Sequence, residues 1–201
     1  MRGLRQAAAV LLACAGTLAQ AAPVEVRVAD VAGRPLAGAV VFLESREARE
    51  QVRPMTGAEI AQADKQFVPA VSVVTVGTAV NFPNRDTVRH HVYSFSPAKR
   101  FEIKLYVGTP AQPVVFDQPG IAVLGCNIHD NMVAWVVVVD TPHHGKTDAE
   151  GRVRLDGVTA GAWRLRSWHP GLPPGAPAQE QALAVAAAGN AVAVRLVGVA
   201  P

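Results

Sequence analysis

No stretch of this chain repeats apolar residues at helical spacing over a useful length. From Val24 onward it is built of short valine-rich runs separated by clusters of glycine, proline, asparagine and aspartate. "VEVRVAD" alternates apolar and polar residues with period two, "VAGRPLAGA" carries turn residues, and "VVFLE" resumes the strand pattern. Similar runs recur at "VSVVTV", "AVNF", "HHVYSF", "FEIKLYV", "PVVF", "IAVLG" and "MVAWVVVV". Strand residues at this density, punctuated by turn chemistry, confine the chain to an all-β antiparallel sandwich or barrel. The segment from Ser45 to Ala63 has no such pattern; it reads as a connection with room for a helical turn at Arg46 to Gln51, interrupted by Pro54 and Gly57. Beyond Pro142, "TDAEGRVRLDGVTAGAWRLRSWHP" supplies two more alternating strands, Pro170 to Ala178 a proline- and alanine-rich link, and "AVAVRLVGV" a final strand.

The opening "MRGLRQAAAVLLACAGTLAQAAP" has two arginines, a short apolar stretch and a small-residue ending, the pattern of a leader removed on export, with cleavage expected after Ala21. The same letters allow a lipoprotein reading in which Cys14 carries the lipid. The apolar stretch is too short to span a bilayer, and "VAWVVVVD" has strand rather than transmembrane length, so no membrane-spanning segment is expected. Removing Arg2 and Arg5 with the leader lowers the formal charge from +3 to +1, which gives no argument for nucleic acid. Cys14 leaves as well, so Cys126 becomes an unpaired thiol in the periplasm, where thiols normally pair. That thiol needs a chemical reason.

Cys126, His129 and Met132 stand three apart in "GCNIHDNM", between two strand patterns. Thiolate, imidazole and thioether together form a soft donor set suited to copper. Residues three apart on a strand point to opposite faces, so a curled loop is needed to converge them. One face of a helical turn in a core would place the same residues equally well. A copper centre with two nitrogens and a thiolate needs another histidine, and "VVTVGTAVNFPNRDTVRHHVYSF" upstream offers His90 and His91.

The pattern of Phe67 and Pro69, then Val76 to Asp86 with its V-x-F-x-N-x-D ending, then H-x-V at His90 to Val92, joined to C-x-x-H-x-x-M, resembles the cupredoxins. Within that family the short ligand loop is similar to the amicyanin and plastocyanin type. The resemblance covers roughly Asp64 to Val139 and implies a Greek-key sandwich holding one copper ion through His90, Cys126, His129 and Met132, with Met132 as axial ligand. "FPNRDTVRHHVYSFSPAKRFE", "LGCNIHD" and "WHP" also resemble exported bacterial proteins labelled methylamine utilisation proteins. Ala122 and Leu124 replace tyrosines common before the family cysteine, Ala134 a common glycine, and Asp130 a common proline. His91 stands open as the ligand in place of His90, a partner behind it, or a solvated side chain. His143 and His144 are expected to be solvated, and His169 to be a hydrogen-bonded structural residue.

The flanking segments resemble the two halves of a carboxypeptidase regulatory-like β-sandwich. The expected layout is a first part over 22–50, the cupredoxin domain over 51–141 and a second part over 142–201. The resemblance implies a carrier of single electrons between redox protein partners and no enzyme; the paired H-x-H segments of a multicopper oxidase do not occur. Copper delivery or storage, and a structural β module with a vestigial site, are the alternative functions.

Overall fold

The computed structural model describes residues 21–200. The expected leader, apart from Ala21, and its lipoprotein alternative at Cys14 lie outside the described residues. The strands fall into four main sheets. The first is β10-β7-β3, from β3 (Ala58–Glu59), β7 (Thr78–Asn81) and β10 (Val114–Phe116). The second is β6-β12-β11-β8-β9, from β6 (Val71–Thr75), β8 (His90–Ser96), β9 (Lys99–Tyr106), β11 (Gly120–Gly125) and β12 (Val133–Val139). The third is β13-β2-β15-β16, from β2 (Val40–Glu44), β13 (His144–Lys146), β15 (Gly161–Trp168) and β16 (Gln179–Val185). The fourth is β14-β1-β17, from β1 (Ala21–Asp30), β14 (Arg152–Thr159) and β17 (Asn190–Leu196). A hairpin of β4 (Ala61–Ala63) and β5 (Gln66–Val68) stands beside them.

Side-chain alternation stacks these sheets into four layers with a core in each gap. On β12, Ala134, Val136 and Val138 point into one core with Val80 of β7 and Phe116 of β10. Val137 and Val139 of the same strand, with Trp135 beside them, point the other way onto Val40 and Phe42 of β2 and Trp168 of β15. The other side of β2, Val41 and Leu43, packs on Val24, Val26 and Val28 of β1 and Leu155 of β14. Both middle sheets therefore have buried strands with no solvent face. "VAWVVVV" and "VVFLE" read as continuous apolar runs for that reason. Each fully buried valine contributes about 1.5–3 kcal/mol of transfer free energy.

The N-terminal strands β1 and β2 pair only with strands that follow residue 143, so the middle of the chain leaves one sandwich and returns to it. The outward crossing runs through α1 (Arg46–Gln51), capped by Ser45, whose Oγ accepts from Ala48 N at 3.1 Å. The return follows β12. An Arg49–Asp140 ion pair and a Thr141 Oγ1 hydrogen bond to Leu43 O, 2.6 Å, tie the two crossings together. The segment after Ser45 thus contains the expected helical turn and also β3 and β4, too short for a periodic signal.

The Trp135–Trp168 pair, with ring centroids 6.2 Å apart, bridges the middle gap. Trp168→Ala should destabilise the fold by about 3–5 kcal/mol, seen as a lower midpoint in a denaturant titration followed by far-ultraviolet circular dichroism.

Candidate metal centre

Two loops meet at the end of the five-stranded sheet where β11 stops and β12 starts. His90 opens β8, Cys126 follows β11, and His129 and Met132 lie before β12, in a turn closed by Met132 N–H donating to His129 O at 3.0 Å. Among the described residues, one ligand atom each from His90, Cys126 and His129 lie within 4.8 Å of one another. The two imidazoles meet edge-on, with centroids 5.0 Å apart. Met132 is buried in the same core as Cys126. The 126–132 segment is a loop, so the helical-turn alternative does not hold. His90 and Cys126 are buried, whereas His129 is half-buried.

The polar atoms around His90 decide which nitrogen can bind an ion. Asp86 Oδ2 lies 2.6 Å from His90 Nε2. The same carboxylate accepts Asp64 N–H at 2.7 Å and Lys65 N–H at 2.9 Å from the β4-β5 turn, where both residues adopt left-handed φ of 53° and 57°. Burial pushes the Asp86 carboxyl up, but the Lys65, His90 and Asp64 hydrogen bonds together hold it below the usual carboxylate range. An ionised Asp86 can only accept, so Nε2 carries the proton and Nδ1 presents its lone pair.

Nδ1 of His90 and Nδ1 of His129 are both buried without a hydrogen-bond partner. Leaving such an atom unpaired costs about 1–3 kcal/mol. Two partnerless nitrogens beside a buried thiol fit a soft metal ion, which satisfies all three donors. The thiolate and imidazole set, with a thioether next to it, suits copper.

Asn84 holds the loop that carries these groups. Its Nδ2 donates to Val88 O at 2.8 Å and Tyr106 O at 2.9 Å, and its Oδ1 accepts Asp86 N–H at 2.9 Å. Tyr106 donates to Phe82 O at 2.7 Å and accepts from Gln62 Nε2. Burial pushes its phenol up to about 12, keeping it a neutral donor.

The other histidines lie elsewhere. His91 is 7% exposed and not solvated: its ring packs edge-on to Tyr93, and its Nε2 sits 3.0 Å from Glu102 Oε1, too poorly aligned for a hydrogen bond. His143 is half-buried with its ring edge-on to Trp163 at 5.2 Å and Nδ1 3.3 Å from Asp156 O, and burial lowers its pKa. Burial likewise lowers the pKa of His144, with the neighbouring His143 adding to the shift. Neither of the pair is fully solvated. His169 accepts Gly171 N–H at Nδ1, 3.0 Å, with Nε2 3.2 Å from Ala37 O, a structural role. Asp130 is exposed beside His129. The role of Asp86 was missed by pattern reading, although a carboxylate four residues before a candidate histidine is a visible signal.

No protein-family model matches the chain, and no curated protein matches it. Solved structures do. A purple cupredoxin from Nitrosopumilus maritimus is 23% identical, aligning 41% of this chain with 99% of its own, at a TM-score of 0.36. A reduced Cu(I) form of an amicyanin variant at pH 4 is 20% identical over 49% of this chain and 98% of its own, with a TM-score of 0.38. A copper-containing nitrite reductase (NirK) from Thermus scotoductus SA-01 is 20% identical over 56% of this chain, which spans 28% of that enzyme, with a TM-score of 0.39. The two cupredoxin alignments each cover somewhat under half of this chain. By donor chemistry alone, two imidazoles and a thiolate are the in-plane set of a type 1 copper site.

Asp86→Ala should weaken Cu(II) binding about 10–100-fold, measured by competition against a chelator of known affinity.

Proposed function

We propose that this chain is a type 1 copper protein that carries single electrons between redox protein partners after export to the periplasm. The observation that carries the reading is a buried cysteine with ligand atoms of two histidines within 4.8 Å of its sulfur, each histidine holding a buried, partnerless Nδ1. Copper bound among these donors supplies a one-electron couple tuned by thiolate and thioether ligation.

The residues divide the work. Cys126 offers the thiolate, His90 is locked in its tautomer by Asp86, and Met132 offers the thioether from the apolar side. His129 is the ligand nearest to solvent, so its ring edge is the exit towards a partner. Exposed Ile128, beside it in the chain, supplies apolar contact surface. The proposed role makes and breaks no substrate bond, so the chain is not an enzyme in this reading.

Delivery or storage of copper fits less well. Ion hand-over needs a donor that a recipient can attack, and Cys126 is only 4% exposed. For the remainder of the chain, the pairing of β1 with β14 and β17 and of β2 with β13 and β15 supports a sandwich made of segments 22–50 and 142–201 around a cupredoxin domain at 51–141. A carboxypeptidase regulatory-like identity for that sandwich is part of the same proposal.

Purified protein given Cu(II) should develop an intense visible thiolate-to-copper absorption that Cys126→Ser abolishes. His90→Ala should lose the band while His91→Ala keeps it, and the opposite result would reassign the histidine ligand. Met132→Leu should retain stoichiometric copper by elemental analysis and raise the reduction potential in voltammetry, because a donor to the oxidised ion is removed.

A further inference from the structure

Gly125, the residue before Cys126, does not adopt a left-handed φ, so its backbone does not call for glycine. The space around it does. A methyl group at its Cβ position would lie 2.7 Å from both Cζ and Oη of Tyr93, and 3.1 Å from Cε2. The hydroxyl end of the Tyr93 ring thus lies close against Gly125, and a side chain at 125 would have to displace it.

The placement of that contact gives it its interest. The register between β8 and β11 is carried at the pair Gly125 and Tyr93. Cys126 is one residue beyond Gly125, and His90 is three residues before Tyr93. Along the β8–β11 pairing, the path from thiol to imidazole therefore runs through this close approach. Val92 points into the core that holds Cys126, whereas Tyr93 stands on the other face of the sheet. There its ring is flanked by His91, with centroids 5.9 Å apart, and by Phe95 at 5.2 Å. Two aromatic neighbours hold the ring in place over the glycine.

We propose that Tyr93 is a positioning residue for the metal centre: its ring presses on Gly125 and fixes the Cys126 thiol relative to His90. The proposal rests on the copper reading for its functional meaning, but the clamp on Cys126 exists in the metal-free chain and is tested there first. No sequence pattern points to it, because tyrosine in a strand and glycine before a loop are each ordinary.

The test uses the full chain carrying Cys14→Ser, so that Cys126 is the sole thiol, and measures its rate with an aromatic disulfide reagent without metal. Tyr93→Leu should raise that rate up to about tenfold, the effect of losing one aromatic contact, while Tyr93→Phe should match the parent. Gly125→Ala should raise the rate in the parent but add nothing in a Tyr93→Ala background, where the methyl group has room. After copper loading, Tyr93→Leu should shift the visible band and the reduction potential, and Tyr93→Phe should shift neither. Parental thiol protection in Tyr93→Leu would overturn the proposal. An equal effect of Gly125→Ala with and without Tyr93 would overturn it too. Should Gly125→Ala fail to fold, the comparison of Tyr93→Leu with Tyr93→Phe decides alone. Thiol rates that follow Tyr93 in a protein that never develops the visible band would sink the copper reading and leave the clamp standing.

Discussion

A strand buried on both faces cannot slip by one residue without moving every side chain into the wrong core, and β12 is such a strand. Its even-numbered residues fill the gap towards β7 and β10, while Val137 and Val139 fill the gap towards β2 and β15. The register with β11 and β6 is fixed from both sides. Met132 directly precedes this strand and the metal-binding loop ends there, so the loop inherits an anchor that ordinary half-solvated strands do not offer. In the proposed electron-carrying role, a centre that changes charge by one unit with little movement of its ligands needs that kind of support.

Set against this apolar rigidity is a small polar assembly that makes a buried histidine tolerable. A wholly buried imidazole with an unpaired nitrogen is destabilising on its own. The Asp86 carboxylate satisfies one nitrogen of His90 and is itself held by backbone donors from the β4-β5 turn, while Asn84 secures the intervening loop. The nitrogen left over is buried without a partner, in a ring that meets His129 edge-on. The cost of burying it is a debt that a bound ion would repay, so the proposed metal binding would be coupled to local stability.

Much of this was legible in the sequence because it depends on periodicity or on donor chemistry. The alternating runs give the strands, glycine and proline give the turns, and a soft donor triplet between strand patterns directs attention to Cys126, His129 and Met132. His90 could be separated from His91 only through the family resemblance, and the structure shows the physical difference. A register shift between His90 and Val92 accompanies a turn of His90 towards the thiol, while His91 packs under Tyr93 beside Glu102. What stayed hidden depends on pairing between distant segments. A run such as "VVFLE" announces burial but not how many sheets cover it, so the four-layer stack is invisible until β2 meets both β13 and β15. The Asp86 contact and the Tyr93 clamp likewise follow from through-space geometry that spacing does not encode.

The return of the chain to the sheets of β1 and β2 also places the candidate metal loop with respect to the joint formed by the two crossings. β12 starts beside Met132 and ends beside Asp140, which pairs with Arg49 at the crossing. Seven residues of strand separate the two ends, a span of about 23 Å. The joint and the centre therefore lie at opposite ends of one strut, and the strut is clamped along its length by the Trp135–Trp168 contact and its neighbours. A disturbance of the joint can reach the ligands only by displacing this strand within two cores at once. Packing at native density resists such displacement strongly. Covering the outer face of the five-stranded sheet with a second layer of strands thus stiffens the support of the candidate ligands while leaving the loop that carries His129 open to solvent.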